Sequence, residues 1–365
     1  MYTVSILVTV TVSTRLRLRF AFPPPLQGIA QANLALLLLR SSVLAASEPV
    51  KGYPILKTAA MFGPNAVGKS NFIAALDLAK RLVIVGTPAE TPIEHHPFRL
   101  NSENKKKDTT FVFRILCNSK NYEYGFSYNA EQISREWLYI LTRKTQYTVF
   151  ERSAEHGDYN LSHLLKLNPR EEEQQFLTFF AKATPARQLF LHEVISRNLG
   201  DNVSDIDDLN AVKNWFIDTL KVLFPDTPYK QGGMLKAVTD EKLKEGFSEL
   251  LRYFGTGIDG IDLKDVEFEK LGIPLILDLI QGEKVFFIDE MERSLHPSLM
   301  INLMHLFYKY SNNISTQLFF TTHESTLMNQ DLLRRDEIWL MEKTDKGVSS
   351  FQRLDQKFSL TVSTN

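Results

Sequence analysis

A chain of 365 residues with 44% hydrophobic and 23% charged residues has the composition of a folded protein of about two domains, which excludes a disordered or low-complexity polymer. The 42 Lys and Arg against 43 Asp and Glu leave a net charge of −1, so nothing global advertises a polyanion partner, and nucleic-acid binding is left to a local patch. The single cysteine, Cys117, excludes a disulfide framework or a Cys-rich zinc module and fits a reducing, cytoplasmic setting.

Residues 20–39 carry no charge. They still fail as a membrane span, because Pro23, Pro24 and Pro25 sit near their start and Gln27, Gly28, Gln31 and Asn33 interrupt the remainder. No membrane partner is expected. None of the 43 acidic residues precedes Glu48, whereas four Arg do. Residues 1–50 therefore read as an atypical N-terminal extension, degenerate or misassigned at its start, without an assigned function. The folded part is expected to begin near Gly52.

Residues 56–62 are a short apolar run that stops at Gly63-Pro64, as a buried strand ending in a turn would. Residues 70–82 place Phe72, Ile73, Leu76, Ala79 and Leu82 at helical spacing. Residues 109–152 predict an antiparallel meander. In it Phe111, Phe113 and Ile115 alternate, turn residues come next at 118–121, and Tyr122, Tyr124, Phe126 and Tyr128 alternate again as sheet-packing aromatics. Residues 171–180, 211–224 and 240–254 have helical patterns. Strand and helix then alternate: strand at 285–288, a helix at 297–310 with Pro297 in its first turn, and strands at 317–322 and 337–341.

Gly63-Pro64-Asn65-Ala66-Val67-Gly68-Lys69-Ser70 matches G-x-x-x-x-G-K-[ST] between a predicted strand and helix, the setting a phosphate-binding loop requires. Its glycines let successive N–H groups converge on a phosphate, and the helix presents its positive end to the same anion. Lys69 would neutralise the β and γ phosphates, and the Ser70 hydroxyl would bind Mg²⁺. Such a loop needs a metal-holding acid and a water-orienting group at the end of a nearby strand. The run Val285-Phe286-Phe287-Ile288 leads to Asp289, suited to Mg²⁺, and Glu290, suited to the attacking water. His323 ends the strand at 317–322, where it would donate a hydrogen bond to the γ phosphate. Other candidates read as ordinary surface: His95-His96 as loop histidines and Lys105-Lys106-Lys107 as a solvated turn.

Residues 63–71, with Asn71 after the loop, residues 286–290 with the adjoining Arg293-Ser294-Leu295-His296-Pro297, and Thr321-Thr322-His323 leading to residues 334–339 carry a resemblance. Together they resemble the ABC-type branch of P-loop ATPases, specifically the bacterial and archaeal AAA-domain proteins related to overcoming-lysogenization-defect and SMC-like ATPases. The resemblance covers roughly residues 51–343. It implies an α/β P-loop NTPase of ABC-ATPase type with a mixed sheet, the first part at residues 51–100 and the second at 256–365. An inserted β-meander and helical subdomain fills 101–255. It also implies ATP and Mg²⁺ as cofactors and hydrolysis of ATP. Glu290, His323 and Lys69 are the expected catalytic residues. A head-to-tail homodimer would sandwich the nucleotide, with the segment after Glu290 as the D-loop that touches the second subunit. The family is frequent in anti-phage and DNA-maintenance systems.

The Ser-Gly signature of ABC-type ATPases is not evident between Gly255 and Lys284, and about forty residues after His323 leave no room for an appended nuclease. Two other readings stand beside the ATPase. One is a weakly hydrolysing, ATP-dependent switch that recruits an effector protein in trans or nucleic acid. The other is a transporter's ATP-binding subunit, which lacks its expected Ser-Gly-Gly-Gln signature here.

Overall fold

The computed structural model describes four strands within the first fifty residues, then residues 56–88, 90–96, 108–142, 144–154, 158–225, 279, 283–294, 297–311, 316–344, 347 and 349–357. The early strands are β1 (Ser5–Val10), β2 (Arg19–Ala21), β3 (Gln27–Ala30) and β4 (Leu34–Ala35). Next come β5 (Thr58–Phe62), helix α1 (Lys69–Ile84), β6 (Thr109–Cys117), β7 (Lys120–Tyr128), β8 (Ile133–Leu141), β9 (Gln146–Ser153) and β10 (Asp158–Asn160). Helices α2 (Ser162–Leu167), α3 (Glu171–Lys182), α4 (Phe190–Ser196) and α5 (Asp207–Asn214) precede β11 (Leu220–Leu223). The remainder is β12 (Val285–Ile288), α6 (Met291–Ser294), α7 (Pro297–Ser311), β13 (Gln317–Thr321), β14 (Ile338–Lys343), β15 (Ser349–Arg353) and α8 (Leu354–Lys357).

Two larger sheets result. One has the order β11-β12-β13-β5-β14-β15 and is parallel except for β15, which pairs antiparallel with β14. This is a P-loop NTPase fold of mixed sheet, assembled from both ends of the chain. Period-two alternation sorts its side chains to opposite faces. Met61, Phe287, Phe319 and Trp339 pack on one side with Phe72, Ile73 and Leu76 of α1. Phe62, Phe286, Ile288, Leu318 and Phe320 pack on the other with Met300, Leu303, Met304 and Phe307 of α7.

The second sheet is antiparallel, in the order β10-β9-β8-β7-β6-β1-β4. Its β6–β7 hairpin turns at Asn118 and Ser119, both at positive φ (51° and 60°), the pair of conformations a tight two-residue hairpin needs. Tyr122, Tyr124, Phe126 and Tyr128 are all buried and face the same core as α1, so the alternating aromatics are packing residues. Buried Glu136 of β8 accepts the Phe190 and Leu191 N–H groups at 2.6 and 3.1 Å, tying the first turn of α4 to this sheet.

Two expectations change. Residues 211–224 are not one helix: α5 ends at Asn214, a π-turn spans Trp215–Thr219, and β11 comes after it. The reason is the open edge of β12, where Leu220 pairs with Val285 and Leu223 with Ile288, so sheet pairing outweighs the helical pattern of a short apolar run. The fold also begins well before Gly52. Strand β1, rich in β-branched residues, pairs with β6 from Ser5↔Leu116 to Thr9↔Val112 and satisfies backbone groups that β6 would otherwise leave at an edge. Finally, the helix expected at 240–254 lies outside the described residues, as does nearly all of 255–284, where a Ser-Gly signature would fall. Among the described residues, no helix is long and apolar enough to cross a membrane.

Candidate functional site

Strand β5 runs into residues 63–68, and α1 starts at Lys69. Gly63 is needed by space: a Cβ there would lie 2.7 Å from the Met341 carbonyl oxygen. Gly68 is needed by conformation, since it caps α1 at φ 110° in the left-handed region. Pro64, Asn65 and Ala66 are exposed, Val67 and Asn71 are buried, and Ser70 is half-buried in the first turn of α1. The hairpin β14–β15 braces the loop from beneath. The Ser349 hydroxyl donates to the Val67 carbonyl at 2.6 Å, and the Lys343 ammonium reaches the Ala66 carbonyl at 3.4 Å.

Lys69 is only 4% exposed, and its ammonium lies across the loop. It donates to the carbonyls of Gly63 at 2.6 Å and Pro64 at 3.3 Å, with His323 Nδ1 at 3.5 Å. Burial pulls this ammonium below its ordinary pKa, and the charges of Glu292, Asp289 and Glu290 act against that shift. Three carboxylates thus act on the loop lysine through their charge, although the strand that leads to them is two places away. Strand β13 lies between, in the register Ile288↔Phe320↔Ala60, which sets β12 and β5 roughly 10 Å apart.

Thr321 joins the acids to this middle strand. It is fully buried; its hydroxyl donates to Asp289 Oδ1 at 2.6 Å and accepts the Glu290 N–H at 2.8 Å. Asp289 itself is buried, and its N–H donates to the Leu223 carbonyl. The Glu292 carboxylate accepts the His323 N–H at 2.8 Å, while its other oxygen is buried without a partner among the described residues. A pocket of about 370 Å³ opens beside the loop, with Gly63, Pro64, His323, Met328, Leu340 and Glu342 among its lining residues.

The fold therefore brings together Lys69, Ser70, Asp289, Glu290 and His323 from three segments of the chain. Neither Thr321 nor Glu292 stands out from sequence as a site residue. Glu292 does leave a trace, as a third acid in the turn after Asp289-Glu290. His95 and His96 stay apart from this site; His96 pairs with Glu94 at 3.0 Å.

The protein family described as "AAA domain, putative AbiEii toxin, Type IV TA system" matches residues 59–191 and 270–329, more than half of the chain. The chain belongs to this AAA-domain family. The matched segments hold the loop lysine, both strand-end acids and His323, so the site is built from residues the AAA domain covers. Among solved structures, the chain is similar to an SMC head domain from Thermotoga maritima at 12% identity and a TM-score of 0.36, covering 81% of this chain and 90% of that one. It is also similar to an SmcHead bound to the C-winged helix domain of ScpA, at 15% identity and a TM-score of 0.36, over 84% and 94% of the two chains. No curated protein matches the chain.

Proposed function

We propose that this AAA-domain protein binds and hydrolyses ATP with Mg²⁺, and that nucleotide binding gates a homodimer acting in defence. The observation that supports this most directly is Lys69, buried across the phosphate loop within 3.5 Å of His323, where the charges of Asp289 and Glu290 favour its ammonium form. Its contacts with the Gly63 and Pro64 carbonyls are ones a triphosphate would replace with stronger, charge-assisted bonds. The loop N–H groups and the N-terminus of α1 hold the β and γ phosphates. Asp289 and the Ser70 hydroxyl are hard oxygen donors of the kind Mg²⁺ takes, and the ion would supply charge neutralisation at the phosphates. Glu290 orients the water and takes its proton as the γ-phosphoryl leaves ADP, and His323 donates to the γ phosphate. The family's description names a toxin of a toxin–antitoxin system, which supports the defence setting.

Turnover of wild type, Lys69→Ala and Glu290→Gln, each with and without EDTA, tests the reading. Wild type should hydrolyse ATP slowly, and each substitution or chelation should abolish it. Turnover that survives Glu290→Gln would remove that residue's role. Light scattering of Glu290→Gln with ATP and Mg²⁺ should show a dimer; a monomer throughout would remove the sandwich.

A second reading has one observation in its favour. The Glu290 carboxylate is bound to Arg293 at 2.6 Å, which suits a switch that holds ATP and hydrolyses it poorly.

A further inference from the structure

Glu290 occupies a conformation that glutamate rarely adopts. Among the described residues, the non-glycine residues at positive φ are Ala66, Asn118, Ser119, Asn198 and Glu290. Asn118 and Ser119 form the hairpin turn, Asn198 is of a type that tolerates this region, and Ala66 lies in the phosphate loop. Glu290, at φ 46°, carries the only acidic side chain of the five. Left-handed backbone at a charged residue costs energy, so its surroundings must hold it there.

Two groups do so. Thr321 fixes the backbone by accepting the Glu290 N–H at 2.8 Å. Arg293 fixes the rest: its N–H donates to the Glu290 carbonyl at 2.9 Å, and its guanidinium Nε bonds Glu290 Oε2 at 2.6 Å. A carboxylate held in an ion pair is less free to turn toward a water, even though each of its oxygens can accept more than one hydrogen bond. The contact is also breakable, because the Arg293 side chain is 63% exposed and Glu290 22%, and exposed ion pairs are weak.

We infer that Arg293 is a built-in restraint on Glu290. It draws the carboxylate back along its own helical turn, and hydrolysis requires its release. This rests on the reading of Glu290 as the group that orients the water. It makes Arg293 a positioning residue whose effect on the rate is negative.

The test compares wild type, Arg293→Ala, Arg293→Lys and the double variant Arg293→Ala/Glu290→Gln. It measures kcat and KM for ATP, and equilibrium binding of a fluorescent ATP derivative. Arg293→Ala should raise kcat about threefold, the scale of a half-exposed ion pair, with KM and derivative affinity unchanged. Arg293→Lys, which keeps a cation in reach of Oε2, should stay near wild type, and the double variant should show no gain. A kcat for Arg293→Ala at or below wild type, with wild-type turnover intact, would overturn the restraint alone. Bound derivative with no turnover in any variant would overturn the hydrolytic reading and the restraint with it.

Discussion

Thr321 and Asp289 share a hydrogen bond of 2.6 Å across two neighbouring parallel strands, and the same hydroxyl takes up the Glu290 N–H. One buried oxygen thereby sets the spacing of both acids. Thr321→Val keeps the shape but strands the amide and removes a donor from a buried carboxylate. The loss should be about 2 kcal/mol, read as a lower denaturant midpoint, with ATP turnover down about tenfold. Thr321→Ser, which preserves both bonds, should restore the rate. Normal turnover in Thr321→Val would show that the acids need no such link.

Gly63→Ala probes the loop itself. The added methyl would sit 2.7 Å from the Met341 oxygen and 3.2 Å from the Met341 Cβ, so β5 and β14 must part or the loop must shift. Overpacking of this kind costs about 1–3 kcal/mol. Thermal unfolding should show the loss, and affinity for the fluorescent ATP derivative should fall with it. A variant as stable as wild type would mean the strands yield freely at this point.

Lys69→Met separates folding from binding. The ammonium is costly to bury and is held mainly by loop carbonyls, so its removal should leave the thermal midpoint within about 3 °C of wild type. Affinity for the ATP derivative should drop at least tenfold, about 1.4 kcal/mol or more. A variant that still binds tightly would remove Lys69 from the phosphate site.

Two other lysines give stability a pH signature. Burial brings Lys57 down to about 8, and burial with nearby Lys221 does the same for Lys80, whose ammonium donates to the Leu220 carbonyl at 2.7 Å. In the unfolded chain both keep an ordinary value near about 10.4. Between about pH 8 and 10 the unfolded state therefore binds more protons, and stability rises with pH. Buried Tyr124 and Tyr308, whose hydroxyls are pushed well up by burial, reverse the trend at higher pH, because the unfolded tyrosines ionise first. Urea unfolding at about pH 7.5 and about 9.5 should show the increase, and a Lys57→Met/Lys80→Met chain should lose most of it, Lys69 supplying the remainder. A profile that falls over this interval would contradict the assignment.

How much of the site is legible in the sequence depends on how local each signal is. The loop at residues 63–70 is contiguous and flanked by a strand and a helix within a few residues, so its place is set directly by the chain. Asp289, Glu290 and His323 end strands of plain apolar pattern and become legible once that loop is placed. Thr321 and Glu292 do not, because their contacts exist only after β12 and β13 pair, some thirty residues apart. Leu220–Leu223 mislead for a related reason: four residues cannot display a period, and the open edge of β12 decides their conformation. Strand β1 leaves no local sign of its pairing because its partner β6 lies about a hundred residues further on.

The bonds from Ser349 and Lys343 to the carbonyls of Val67 and Ala66 make the last hairpin a rigid footing for the phosphate cradle. Tension applied to this hairpin would reach the cradle through Ser349 of β15 and Lys343 of β14, and the α1 layer through Phe351, which packs on Phe72. A mechanical load on this end of the sheet would accordingly be felt as a change in nucleotide grip.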